Sequence, residues 1–328
     1  MTKPKVLFVT QTLGYKIACG VGLYGQLWSD ALVKSSELNL QVLYTDSLVE
    51  TIEKITMELP DVVVYNFHYM TNSWMSDSIF KQSFPNIKHV AIQHDIMQDM
   101  IDNNNFNPMH HGNFDYFITA NPTLHGNDKV HVVNKLIPCK PTVAYTDVGC
   151  PIIGYQGFGF NYKGILRLAY IVNEEFDECI FRLHMVYNYY SDRDGSQANQ
   201  RINEVMSVIT KPSIKLEFTH DMLSTQDLVN WLAQNTINCY LYDYPNPAGL
   251  ASSPDYALAA KRPIAVSDNH MMMHFSNLSP SVIIHKPYTI RQIIENGTAP
   301  LEPLYQAYSE ENFLNDWKNT IERILVLG

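Results

Sequence analysis

The chain has 328 residues, 33 acidic against 23 basic side chains for a net charge of −10, 46% hydrophobic residues and only 17% charged ones. That composition excludes a disordered chain, and at about 150 residues per domain it points to two domains that each bury a core. No apolar run reaches the ~18 residues of a membrane-spanning helix, and Met1-Thr2-Lys3-Pro4-Lys5 runs straight into a strand-like segment without a signal-peptide core, so a cytoplasmic protein is expected.

Val6-Leu7-Phe8-Val9-Thr10 reads as a buried strand, and Gly14, Gly20 and Gly22 punctuate the loop after it. Leu23, Leu27, Ala31 and Leu32 then recur at helical spacing. Strands follow at Leu40 to Tyr44, Asp61 to Tyr65, Val90 to Gln93, Tyr116 to Ala120 and Val130 to Val133, with a helix from Ser47 to Glu58. Short strands alternating with helices imply a parallel sheet covered on both faces. From Pro138 to Pro151, three prolines and Gly149 break the periodicity. The pattern then restarts with a strand at Ile152 to Gly157 and a helix from Lys163 to Phe176. Further strands are expected at Ile180 to Met185, Ile214 to Phe218, Cys239 to Tyr242, Pro263 to Val266 and Val282 to Ile284. Helical stretches lie near 197–210, 224–235 and 253–260, and Ser224-Thr225-Gln226-Asp227 carries a helix cap. Phe313, Leu314, Trp317, Ile321, Ile324 and Leu325 make one apolar stripe on a last helix that must dock on something. The expected class is α/β, with two Rossmann-like doubly wound domains, 1–150 and 151–308, and a final helix, 309–328. Two such sheets in tandem put a cleft between them, and their ligands bind outside the carboxyl ends of the strands.

Four loops at such ends could carry chemistry. Gly20 and Gly22, at the entry to the first helix, would let backbone amides approach an anion at its N-terminus; a turn needing positive φ is the alternative. Gln93-His94-Asp95 follows an apolar strand. His94 could hydrogen-bond a substrate hydroxyl with Asp95 orienting it, or His94 could be packed and Asp95 a helix cap. Gly157-Phe158-Gly159-Phe160-Asn161-Tyr162-Lys163-Gly164 is a glycine-rich strand-to-helix turn whose lysine suits a diphosphate clamp, or is a solvated first-turn residue. Tyr244 to Asp255 again joins a strand to a helix, and Asp255 could accept hydrogen bonds from a ribose or complement the helix dipole.

Other chemistries fit poorly. Cys19, Cys139, Cys150, Cys179 and Cys239 are scattered and contain no Cys-x-x-Cys, so they read as reduced thiols. His110 and His111 are adjacent and cannot face one ion from a helix, while His68, His89 and His94 show no ligand spacing. A Gly-x-Ser-x-Gly elbow and a P-loop are both missing. The acidic balance argues against a broad phosphate-binding surface.

Taken in this order, the four loops resemble the retaining glycosyltransferases of the GT-B fold, in the group 1 family that uses nucleotide-diphosphate sugars. The likeness rests on Gly20-Val21-Gly22-Leu23-Tyr24, Gln93-His94-Asp95, Gly157 with Lys163-Gly164 six residues on, and the segment from Asp255 to Asp268, and it covers nearly the whole chain. It implies an N-terminal acceptor side, a C-terminal donor side and a last helix crossing back to the first domain. By the same resemblance Gly20, Val21 and Gly22 approach the donor phosphates, and His94, with Asp95, serves the transferred sugar. Lys163 pairs with the diphosphate, Gly157, Gly249 and Leu250 belong to the donor loops, and Asp255 holds the ribose. No metal and no other cofactor is expected. The partners are a nucleotide-sugar donor and an acceptor hydroxyl on a glycan, small molecule, protein or modified nucleobase.

Two positions depart from the family. Phe158 stands where an arginine usually follows the glycine, and Pro247, or Asn246 with the loop slipped by one, stands where a glutamate lies eight residues before Asp255. The missing arginine is a donor to a leaving diphosphate, and the loss of such a donor costs about 10²-fold in rate or more. Besides retaining transfer, the residues therefore leave open a module that binds a nucleotide or glycan without turnover, and a sugar-nucleotide epimerase on the same fold.

Overall fold

A computed structural model of the chain describes residues 3–12, 20–106, 112–245, 249–285 and 288–327. The chain forms two compact units, 1–136 with 307–328, and 137–306. The division falls before the expected join near residue 150 because Ile137, Cys139 and Val143 pack against Leu228, Val229, Leu232 and Tyr256 of the second unit. The backbone N–H of Thr142 also donates to Asn230 Oδ1 at 2.8 Å.

In the first unit, β1 (Lys5–Thr10), β2 (Asn39–Tyr44), β3 (Val62–Asn66), β4 (Lys88–Ile92), β5 (Tyr116–Thr119) and β6 (Val130–Val132) form a parallel sheet in the order β2-β1-β3-β4-β5-β6. Every residue of β3 is buried, which is why its sequence is a continuous apolar run instead of an alternation. Alternate side chains feed two cores. Val6, Phe8, Val62, Val64, Val90 and Ile92 pack under the helices Gly20–Leu32 and Glu310–Leu327, whereas Leu7, Val9, Val63, Tyr65 and Ala91 face Ile55 and Phe67. The apolar stripe of the last helix docks on this unit. Phe313, Trp317, Ile321 and Ile324 are fully buried there, and the Trp317 ring lies 5.5 Å from that of Trp28 and 6.2 Å from that of Phe8.

In the second unit, β7 (Ile152–Gly157), β8 (Cys179–Met185), β9 (Ile214–Thr219), β10 (Ile237–Tyr240) and β11 (Ile264–Val266) are parallel in the order β11-β10-β7-β8-β9. Val282 to Ile284, expected as a strand, makes only an isolated bridge in which Ile283 pairs with Val266. The helices Ile165–Glu175, Ser196–Val208, Thr225–Ala233 and Ser253–Ala259 cover the sheet. Ser224 caps its helix by accepting from the Asp227 N–H at 3.1 Å. Short helices at Ile79–Ser83, Gln98–Asp102, Ile290–Asn296 and Glu302–Ala307 are too brief to show a periodicity in sequence. In both sheets the strand order reverses beside the first strand of the unit, between β1 and β3 and between β7 and β10. These reversals are where doubly wound sheets open a crevice for ligands.

Candidate functional site

In the first unit the carboxyl ends of β1, β3 and β4 meet at Asn66, the last residue of β3. Its Nδ2 donates to the Val21 carbonyl at 2.8 Å and to Thr10 Oγ1 at 3.0 Å. A carbonyl can only accept, so the amide oxygen is the atom that faces His94 Nε2, 3.1 Å away. His94 Nε2 therefore carries the proton, and Nδ1 presents a lone pair. Burial, then the neighbouring His68, pulls the His94 pKa down to about 4, which keeps the ring neutral at pH 7. Tyr24 meets this ring edge-on at 5.9 Å. Asp95 Oδ2 lies 3.5 Å from His68 Nε2 and its charge acts on His94, the helix after it has Met97 at its N-cap position without a side-chain cap, and the hydrogen bond of His94 Nε2 goes to Asn66.

Gly20, Val21 and Gly22 form the first turn of the helix Gly20–Leu32, which reaches Asn66 through the Val21 carbonyl. The helix crosses so close to β1 and β3 that a β-carbon at Gly25 would collide with Thr10 Oγ1 and Asn66 Nδ2. Lys135, 1% exposed, carries its ammonium 5.5 Å from the Tyr24 ring centroid. The rest of the glycine loop, with Gly14 and Cys19, lies outside the described residues, as do His110, His111, Asn246 and Pro247.

In the second unit Gly157 ends β7, and Lys163 closes the 3-10 turn Asn161–Lys163 instead of opening the helix. Gly164 follows with φ 66°, in the left-handed region, and its missing side chain lets the Leu241 carbonyl after β10 approach. The turn thus folds the lysine inward. Lys163 is 7% exposed, with its ammonium 3.9 Å from the Tyr242 ring centroid and 5.2 Å from that of Tyr162. Among the described residues no carboxylate is paired with it. Desolvation alone lowers its pKa to about 7. The 11-residue helix Ile165–Glu175 starts two residues on, so a charge-deprived lysine and the positive end of a helix sit at the same strand-order reversal.

Gly249 is buried and Leu250 partly so, in the loop between β10 and the helix Ser253–Ala259. Tyr242 ties this helix to the lysine, since its hydroxyl donates to Ser253 Oγ at 3.4 Å. Asp255 is 1% exposed, and its Oδ1 faces His274 Nε2 at 3.9 Å, turned into the protein and not toward open space where a ribose could reach it. Phe158 stacks on Phe160 at 5.3 Å, in the position expected to hold an arginine. Each unit so gathers its own expected residues, with the Asp95 carboxylate facing His68 and that of Asp255 facing His274.

Sequence reasoning passed over Thr10, Gly25, Asn66, Lys135 and Tyr242. Asn66 carried a readable signal, a lone polar residue closing the apolar strand Val62-Val63-Val64-Tyr65, the same kind that singled out His94. Among the described residues no group of three or more His, Cys, Asp and Glu side chains could hold a metal ion, and no helix is long and apolar enough to cross a membrane.

No protein-family model matches the sequence, and no curated protein is similar to it in sequence. Solved structures do match over nearly the full length. Alr3699/HepE of Anabaena, in complex with UDP and glucose, superposes with a TM-score of 0.60 at 10% identity over 98% of this chain and 100% of that one. A glycosyltransferase of Rickettsia africae gives 0.57 at 15% identity over 99% and 98%. The UDP-forming α,α-trehalose-phosphate synthase of Burkholderia xenovorans, in complex with glucose-6-phosphate, gives 0.61 at 9% over 98% and 100%. At such identities the likeness is one of fold. The chain has the GT-B fold, two parallel-sheet α/β domains of six and five strands.

Proposed function

We propose that the chain is a glycosyltransferase that moves a sugar from a nucleotide-diphosphate sugar to an acceptor hydroxyl, with retention and without a bound metal, in the cytoplasm. The observation that carries this is Lys163, buried without a carboxylate beside a helix N-terminus at the carboxyl end of β7. A buried lysine held only by rings is costly unless an anion completes it, and a diphosphate supplies that anion. As the bond from the anomeric carbon to the diphosphate oxygen breaks, charge builds on the diphosphate. Protonated Lys163 and the loop amides about Gly157, Gly249 and Leu250 then stabilise it. His94, neutral and fixed by Asn66, accepts a hydrogen bond from the transferred sugar at Nδ1, and Gly20, Val21 and Gly22 border the donor and the acceptor. Asp255 acts on the donor through the loop that it anchors, since its carboxylate is buried.

UDP is the probe of choice, because the similar Anabaena structures hold UDP or UDP-glucose. Calorimetry of UDP binding to the native chain and to Lys163→Ala tests the reading, which falls if the two affinities are equal. Binding without turnover is favoured by one observation, Phe158 stacked on Phe160 where the family has an arginine. Release of free UDP from UDP-sugars separates the two, since turnover releases UDP and mere recognition does not.

A further inference from the structure

A cavity of about 490 Å³ opens at the carboxyl ends of β10 and β11, within the second unit. It falls in the size range of small-molecule sites, about 300–1,000 Å³. We infer that it binds an uncharged small molecule that has hydroxyl groups and an apolar body. This goes beyond the transfer reading and does not depend on it.

The chemistry of the walls selects that class. Tyr244, from the loop after β10, forms one side, while Ser267, Asp268 and Asn269 follow β11 and Met272 and Met273 come from the 3-10 turn His270–Phe275. Asn269 is held by two bonds: its Nδ2 donates to the Tyr244 carbonyl at 2.9 Å, and its Oδ1 accepts from the Met271 N–H at 3.0 Å. These bonds fix its place in the wall and leave one amide N–H and one oxygen lone pair for a ligand. Ser267 Oγ, on a residue 2% exposed, donates to the Tyr242 carbonyl at 2.7 Å, so what remains to it is accepting capacity. Asp268 adds carboxylate oxygens, which also only accept. These side chains therefore match ligand O–H donors. Among the described residues no lysine or arginine lines the cavity; His270 contributes a ring that both donates and accepts, and the Asp268 carboxylate repels phosphates and other anions. Met272, 1% exposed, and Met273, 40% exposed, supply thioether chains that conform to an irregular apolar surface.

The cavity also neighbours the lysine. The Tyr244 ring stands 4.9 Å from that of Tyr162, over which Lys163 sits at 5.2 Å. One strand-end region thus divides into an anion anchor and an anion-repelling, hydroxyl-accepting cavity, separated by two aromatic rings.

The full chain labelled with [methyl-13C]methionine tests this, with Met272 and Met273 signals assigned from Met272→Leu and Met273→Leu. Titration with phenyl β-glucoside is expected to shift both methyl signals saturably, whereas glucose 6-phosphate at the same concentrations leaves them in place. Asp268→Asn should narrow that preference at least tenfold. The inference is overturned if phenyl glucoside moves neither methyl, if it moves methionines throughout the chain alike, or if glucose 6-phosphate shifts the same two signals equally well. Titration of the same sample with UDP reports on the anchor separately. Glycoside binding without UDP binding would remove the donor reading and leave the cavity assignment standing, and UDP binding without glycoside binding would do the reverse.

Discussion

Both units are doubly wound parallel sheets, with different strand orders, yet they build opposite kinds of site beside the point where each order reverses. At the β1/β3/β4 ends, a side-chain amide threads Thr10, Val21 and His94 together by hydrogen bonds, and the ring so held is neutral. At the β7/β10 ends, a lysine is buried against tyrosine rings, and its charge is only marginally held. The first site carries no charge that needs a counter-ion at neutral pH. The second stores electrostatic strain that an anion relieves, so it should respond far more to ligand and to pH.

The largest effect that would break this contrast is at the lysine. Lys163→Ala should lower UDP affinity on the order of 10- to 150-fold, since hydrogen bonds to charged groups contribute about 1.5–3 kcal/mol. Its folding stability near neutral pH should not fall, because the substitution removes a poorly solvated charge; chemical denaturation with and without UDP checks both. The next is at the hydrogen-bonded site. His94→Ala should lower kcat and kcat/KM together by about 10- to 10²-fold, with UDP affinity hardly changed. Full turnover would return His94 to a packed residue. NMR should also find His94 titrating near pH 4, and so neutral from pH 5 to 8. Because its folded pKa lies below the unfolded value, it subtracts stability as pH falls from about 6.5 toward 4.

A smaller, purely steric test is Gly25→Ala. The added carbon meets Thr10 Oγ1 and Asn66 Nδ2, so it should destabilise by about 1–3 kcal/mol in a thermal or urea melt. The second site should be indifferent to it, with UDP affinity unchanged in the folded fraction. The smallest effect is expected at Phe158. Phe158→Arg adds the donor that the family usually has, and should raise UDP affinity by a few-fold through about 1 kcal/mol of charge-assisted bonding. No gain would mean that the Phe158–Phe160 stack holds the loop away from the diphosphate.

How much of this was legible follows from burial. The strands β1, β3 and β4 are covered on both faces, so they read as apolar runs, and the polar residues that close them stand out at their carboxyl ends. What the sequence withheld was direction. In sequence Lys163 reads as a diphosphate clamp or as a solvated first-turn residue, and the left-handed Gly164 with the approach of Leu241 turns it inward. Asp255 has the right neighbours in sequence yet points at His274, because a seven-residue helix offers no periodicity from which to read a face. The break in periodicity from Pro138 to Pro151 places the join there and the division falls just before it, after Leu136, since prolines do not tell which core the linker packs on and Ile137, Cys139 and Val143 pack on the second.

On the proposed transfer reading, Lys163 leans toward its uncharged form until a diphosphate completes it. Its folded pKa of about 7 lies below the unfolded 10.5, so the unfolded chain holds more protons between these values and stability gains as pH rises through that window. UDP reverses the preference by stabilising the ammonium. The direct measurement is calorimetry of UDP binding at pH 8 in buffers of different ionisation enthalpy, which counts protons taken up. The account predicts uptake approaching one proton per UDP in the native chain and none in Lys163→Ala; binding with no uptake, or with the same uptake in both proteins, would contradict it.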